Sequence, residues 1–293
     1  MLRTVTFTLL ALVAFASNSL LARLSLGTAE IDAATFTAIR LIAGAAVLLT
    51  LARLRDGAWT ALRGDKDVVG ATRTNRLVGP GALFVYAVPF SLAYVRIGAA
   101  VGALVLFGVV QLTMVGYGLA SGERPSPRTW AGLALASSGL VVLTAPAATR
   151  PDPLGVALMA LSGAAWAVYT LAGRTSHEPV AANAHNFLWS SPLALLVVFA
   201  LPGSIVTSTR GVVLALVSGG VTSGLGYVLW YRALPRLSVT QAAVAQVGVP
   251  VIAAVGGVVL LGEPLGLRLI LAGAAVLGGI GLLLSRRRRP ATA

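Results

Sequence analysis

The sequence predicts an all-α membrane protein of ten transmembrane helices, built as two inverted five-helix repeats. Three observations carry this: the composition, the spacing of the charges, and a self-similarity between the halves. Of 293 residues, 57% are hydrophobic and 11% charged, and the mean hydropathy is +0.88. A soluble domain carries roughly 25% charged residues, so this chain cannot clothe a soluble surface. Ten spans of about 20 residues would use most of it and leave no room for a soluble catalytic domain. With Cys 0, disulfides, zinc-thiolate sites and thiol nucleophiles are excluded. His177 and His185 are the only histidines, so neither a metal nor a cofactor is expected.

Charge-free stretches mark the helices in order. The first, residues 4–22, follows Arg3; Ala14-Phe15-Ala16 could mimic a signal-peptide cleavage site, but the repeat below argues that the segment is kept. The second, 33–52, is interrupted only by Arg40. Residues 77–95 and 97–122 supply the third and fourth, on either side of Arg96, and 129–149 the fifth. The second half continues with 153–173, 179–209, 211–231, 237–262 and 269–285. Pro89 and Pro250 stand where they would bend helices three and nine, and a bend at mid-membrane is a candidate gate. Glycines spaced by four, as at Gly98/Gly102 and Gly220/Gly224, permit close helix approach.

The formal charge of +13 and pI near 11.5 would suggest nucleic acid in a soluble protein. Location decides otherwise. Threaded from a cytoplasmic N-terminus, 16 of the 22 basic residues fall inside and five outside (Arg23, Arg96, Arg150, Arg210, Arg268), with Arg40 within the membrane. That bias follows the positive-inside rule and predicts a cytoplasmic membrane protein with both ends in the cytoplasm. The expected partners are the lipid bilayer and a small-molecule substrate, not nucleic acid, in a monomer or homodimer. The basic tail, 286–293, adds attraction to anionic headgroups.

A shift of 140 residues aligns 93–143 with 233–283 without a gap and gives 13 identities in 51, among them Arg96/Arg236, Gly122-Glu123/Gly262-Glu263 and Gly139/Gly279. Earlier in each half a shift of 151 pairs Phe15 with Trp166, Arg23 with Arg174 and Phe36 with Phe187. The units are 1–148 and 149–285, followed by the tail. Five helices is an odd number, so the second copy starts from the opposite side. Inverted repeats are a signature of transporters, whose substrates bind near the midplane where the repeats meet.

The segments Phe36–Leu49 (FTAIRLIAGAAVLL) and Ser238–Leu284, with the Arg early in helix two, the Pro250 region, the Gly262-Glu263 turn and a glycine-rich last helix, resemble the EamA branch of the drug/metabolite transporter superfamily. The resemblance implies ten helices around a central cavity, lined mainly by helices one to four and six to nine. It also implies export of small metabolites, amino acids or drugs. Val110 stands where the second half has Pro250, so the halves need not bend alike.

Candidate substrate contacts follow from depth and chemistry. Arg40 is the one charge inside a span, and a buried guanidinium costs from a few to more than ten kcal/mol. It either snorkels to the outer interface or pairs with Glu30 or Asp32, or else it grips a substrate carboxylate. Gln111 and Gln246 sit at mid-depth, where they either join helices or line the pathway. Asn18, between Ser17 and Ser19, makes a polar patch on helix one. Tyr86, Trp166 and Tyr169 lie deep enough to wall a cavity or fill a core, whereas Trp130, Trp230, Tyr231, Tyr94 and Tyr117 fall near span ends and fit the interfacial belt. Glu123 and Glu263 read as caps on the helices that follow them. No acid lies deep in a span, which leaves His185 as the candidate for proton coupling. A nucleophile with its base, a metal box or a phosphate loop is absent. The expected activity is alternating-access export of amino acids or related metabolites, not catalysis; the alternatives are multidrug efflux and, further off, a membrane-embedded enzyme or scaffold.

Overall fold

A computed structural model describes residues 2–56, 75–144, 151–201 and 205–284. The tail at 286–293, Arg150 and most of the 53–76 loop lie outside the described residues. Helices account for nearly all of the described chain, and the single β-bridge joins Ile31 to Thr207. The first two helices, α1 (Leu2–Leu26) and α2 (Ala33–Asp56), are joined by a short turn. Asp32 stops that turn and starts α2 by accepting from the Thr35 N–H (2.9 Å).

The expected third and fourth helices run together as α3 (Asn75–Ala120), 46 residues long and broken at Gly98. There φ is 69° and ψ 176°, a conformation that glycine reaches without Cβ strain. Pro89 lies inside the helical stretch before the break, so the discontinuity falls at Gly98 and not at the proline. Next come α4 (Pro127–Thr144), α5 (Pro153–Gly173) and α6 (Pro179–Ala200). Asp152 caps α5 through the Gly155 N–H (3.0 Å), with Pro153 in the first turn, where its missing N–H costs nothing.

The expected eighth span has an unforeseen interior. It opens as α7 (Thr209–Val217), widens into a π-helical segment over Ser218–Leu225, and returns to α geometry as α8 (Gly226–Ala233). The widened segment carries Gly219, Gly220 and Gly224. A Cβ on Gly219 would fall on the Arg40 carbonyl oxygen, and one on Gly220 would meet Val47 at 2.9 Å, so α2 lies directly against this backbone. The ninth span comes in two pieces, α9 (Val239–Gln246) and α10 (Gly248–Leu261). The interruption at Val247 comes just before Pro250, which has no N–H to offer the Gln246 carbonyl. Ser238 starts α9 with a capping box completed by Gln241. The chain closes with α11 (Leu267–Leu284), packed on α4: a Cβ at Gly139 would meet the Ala272 carbonyl oxygen at 2.8 Å, and one at Gly279 the Gly132 carbonyl oxygen at 2.5 Å.

Six of these helical runs are long and apolar enough to cross a membrane. Their outer faces are as apolar as the core: Leu54, Leu77, Leu112, Phe199 and Val259 are each 74–78% exposed. An apolar exterior spread over so many helices is stable against lipid and not against water. The protein is an all-helical, multi-pass membrane protein.

Candidate functional site

Helices α1, α3, α5 and α10 enclose a cavity of about 220 Å³. Arg23 at the end of α1 and Glu263 after α10 form an ion pair on its wall. Ser19, Phe90, Leu106 and Phe107 are shared with a narrower space of about 30 Å³, whose remaining wall includes Asn18, Tyr86, Trp166 and Tyr227. The end of α4 also reaches the larger cavity through Leu143 and Thr144, although the fifth helix was expected to stand outside.

Aromatic rings build the deep end. Trp166 packs edge-on to Phe15 (5.3 Å between ring centroids), tilted against Tyr86 (4.8 Å) and Tyr227 (4.9 Å), and stacked on Tyr169 (5.6 Å). Polar edges are held from behind. The Trp166 indole N–H donates to Gln246 Oε1 (2.5 Å), and the Gln246 amide donates in turn to the Ala242 carbonyl (3.1 Å). The Tyr169 hydroxyl donates to Asn183 Oδ1 (2.6 Å). The structure thus brings Tyr86, Trp166, Tyr169 and Gln246 together.

Arg40 stands behind this wall. It is 1% exposed and pairs with neither Glu30 nor Asp32, which instead bind the 206–210 segment through Ser208, Arg210 and Val206. The snorkelling reading therefore gives way to a buried one. Its Nε donates to Ser223 Oγ (2.9 Å) and its Nη2 to the hydroxyls of Tyr227 (2.7 Å) and Tyr86 (3.4 Å). The guanidinium also lies 5.5 Å from the Tyr86 ring centroid and 5.9 Å from that of Phe90. Its Nη1 has no partner among the described residues, and no acidic side chain there pairs with it. Among the described residues this buried cation thus rests on neutral hydroxyls and aromatic faces. A phenol that accepts from a cation is polarised into a stronger donor of its own proton, so the positive charge is felt at the wall through Tyr86 and Tyr227.

Asn18 joins the same assembly, its Oδ1 accepting from Ser218 (2.6 Å) and Thr222 (3.2 Å) of the π segment. Gln111 does not: its Oε1 accepts from Ser137 Oγ (3.0 Å) on α4, away from both cavities. His185 is also remote from the walls, with Nε2 3.2 Å from the Arg76 carbonyl oxygen. Pro250 lines the larger cavity, whereas Pro89 does not.

Three aromatic residues depart from the interfacial belt. Trp230, Tyr231 and Tyr94 are 0%, 1% and 5% exposed, while Tyr117 and Trp130 are exposed as expected. Depth along a helix does not fix which face a residue occupies. Sequence reasoning also missed Tyr227 and Ser223, whose signal was the small-residue run SGGVTSGL just before Tyr227.

The profile of the EamA-like transporter family matches residues 153–285. An uncharacterized protein of Pseudomonas aeruginosa is 47% identical over 285 residues, which cover 97% of this chain and 96% of that protein. A protein of Archaeoglobus fulgidus named as an uncharacterized transporter is 29% identical over 212 residues, covering 69% of this chain and 74% of its own. A solved crystal structure superimposes with a TM-score of 0.82 over 96% of each chain at 22% identity, which establishes a shared fold.

Proposed function

We propose, from the premise that this chain belongs to the EamA-like transporter family, that it exports small carboxylate-bearing metabolites, amino acids foremost, across the cytoplasmic membrane by alternating access. Membrane transport follows from the family; substrate class, direction and mechanism are our reading. Its carrying observation is the buried Arg40 guanidinium, which among the described residues has no acidic partner and whose Nη1 amino group has no acceptor. A substrate carboxylate supplies the missing counter-charge. The polarised hydroxyls of Tyr86 and Tyr227 meet it first, the Asn18 patch lies alongside, and the aromatic wall takes the apolar part.

Two inverted five-helix repeats are the architecture this mechanism needs. Counting α3 as two spans, and the α7–α8 and α9–α10 runs as one each, gives ten. Reciprocal contacts favour the inversion: Gly139 faces Ala272 and its repeat mate Gly279 faces Gly132, the mate of Ala272. Ion pairs sort to opposite ends as well. Glu30 between α1 and α2 meets Arg210 at the start of α7, whereas Arg55 at the far end of α2 meets Glu178 before α6. In our reading the first group is outside and both chain termini are cytoplasmic. Coupling to protons through His185 stands beside plain exchange or uniport.

Proteoliposomes loaded with single amino acids or with cationic drugs, with and without a pH gradient, test the reading. Arg40→Ala should lower carboxylate transport by roughly 10- to 100-fold, the worth of a hydrogen bond to a charged group, and Arg40→Lys should recover part of it at equal folded yield. The aromatic wall by itself suits flat cations, and multidrug efflux is the second reading. Drug transport that survives Arg40→Ala, with no amino acid transport in the wild type, would establish it.

A further inference from the structure

Glu123 and Glu263 are equivalent under the 140-residue shift, yet they are differently engaged. Glu123 reaches from the end of α3 into the other half, where its carboxylate accepts from the N–H groups of Val239 (2.6 Å) and Thr240 (3.2 Å) and from the Thr240 hydroxyl (2.9 Å). It thus caps α9, not the helix that follows it. Arg174 at the end of α5 stands beside it and donates to the Leu237 carbonyl (2.8 Å). Burial works to raise the Glu123 pKa, but the Val239 and Thr240 donors, with the charge of Arg174, outweigh it and hold the group below the ordinary glutamate range. Glu263 is held instead by Arg23, the repeat mate of Arg174.

The shift also maps 238–240, the capped start of α9, onto 98–100. There Gly98 breaks α3 and a new helix begins. The first N–H groups of a helix have no partner within it and carry the positive end of its dipole. Ala99 and Ala100 line the larger cavity together with Arg23 and Glu263. The carboxylate that could cap this helix start therefore sits across the opening from it, parked on an arginine.

The geometry points to a pair of reciprocal latches, in which each glutamate caps the broken helix of the opposite half in turn and rests on that half's arginine in the other state. In the state described, Glu123 fastens α9 and closes one side, and Glu263 on Arg23 leaves the other side open. In the opposite state Glu263 caps the helix starting at Ala99, Arg23 turns to the Ile97 carbonyl, and Glu123 withdraws to Arg174. Each state holds one glutamate in a cap of several donors and the other on a partly exposed arginine, so neither state is strongly favoured, and because the cap is the stronger contact, weakening one cap moves the balance. The latch rests on the alternating-access reading of the preceding section.

A chain without native cysteine permits a direct test. Ala103→Cys puts a single thiol on the wall of the open cavity, and its rate of reaction with a water-soluble maleimide reports the open state in proteoliposomes. Adding Glu123→Gln should slow that reaction roughly tenfold, the effect of one lost charge-assisted hydrogen bond on a two-state balance. Thr240→Val should slow it less, and Glu263→Gln should leave it equal or faster. No change with Glu123→Gln, a shift of the same sign in both glutamate variants, or a faster reaction of Glu123→Gln, as unfolding would give, each overturns the latch. An equimolar mixture of the twenty amino acids separates the two readings. If it alters the rate in the Ala103→Cys parent while the glutamate changes do not, the latch alone fails; if the glutamate changes alter that rate and the mixture does not, the amino acid reading alone fails.

Discussion

Trp166 keeps its place in the cavity wall through one hydrogen bond to Gln246, and that bond separates two amides that look alike in the sequence. Gln246→Leu removes the acceptor behind the indole N–H and leaves it unsatisfied in an apolar setting, a cost of about 1–3 kcal/mol. We expect altered KM or kcat for every substrate that touches the aromatic wall. Gln111→Leu, facing Ser137 on α4, should leave transport kinetics unchanged and shift only the unfolding midpoint. Equal kinetic effects in the two variants would contradict the placement. Depth read from the sequence singled out Arg40, Tyr86, Gln111, Trp166 and Gln246, all of which are buried. Azimuth was not legible there. Trp230 and Tyr231 were assigned to the membrane interface from their distance to a span end, yet both turn inward. Tyr227 was passed over because its partner Arg40 lies 187 positions away, and one-dimensional spacing carries no information on such a pair.

The π segment places Arg40 by contact as much as by hydrogen bonding. Its extra backbone width, filled with glycine, lets the Arg40 carbonyl rest directly on Gly219, while Ser223 in the same segment holds the guanidinium. Gly219→Ala would drive a methyl group into a main-chain oxygen that has no rotamer to yield. The expected loss is about 1–3 kcal/mol, read as a lower thermal unfolding midpoint in detergent, with carboxylate transport falling more steeply than stability. Glycine spacing in the sequence signalled close approach, but nothing in it distinguished π from α geometry. The capped start of α9 adds a pH-dependent element. The folded-state pKa of Glu123 is lowered, so the stability it supplies is fully present above the ordinary glutamate pKa. It is lost as pH falls through the lowered value. In an acid titration of the unfolding midpoint, Glu123→Gln should therefore start lower and decline less; parallel curves for the two proteins would remove Glu123 as the source.

At the level of the whole molecule, the proposed inversion of the two halves can be tested from the turns between helices. The 140-residue offset carries the expectation of a repeat, whereas an all-helical membrane fold could be read from the sequence because charge-free stretches are a one-dimensional signal. Helix pairing across the halves could not, since it depends on side-chain shape. Ser126 and Gly266 occupy equivalent turns under that offset, after Glu123 and Glu263 respectively, and both are exposed. A parallel duplication would place them on one face of the membrane, whereas an inverted one places them on opposite faces. Single-cysteine variants Ser126→Cys and Gly266→Cys in intact bacterial cells decide the matter with a membrane-impermeant maleimide. In the proposed orientation Glu263 and its partner Arg23 are external, so Gly266→Cys should label from outside, and Ser126→Cys only after the membrane is opened. Labelling of both from outside would refute the inversion, and with it the exchange of roles between halves on which alternating access depends.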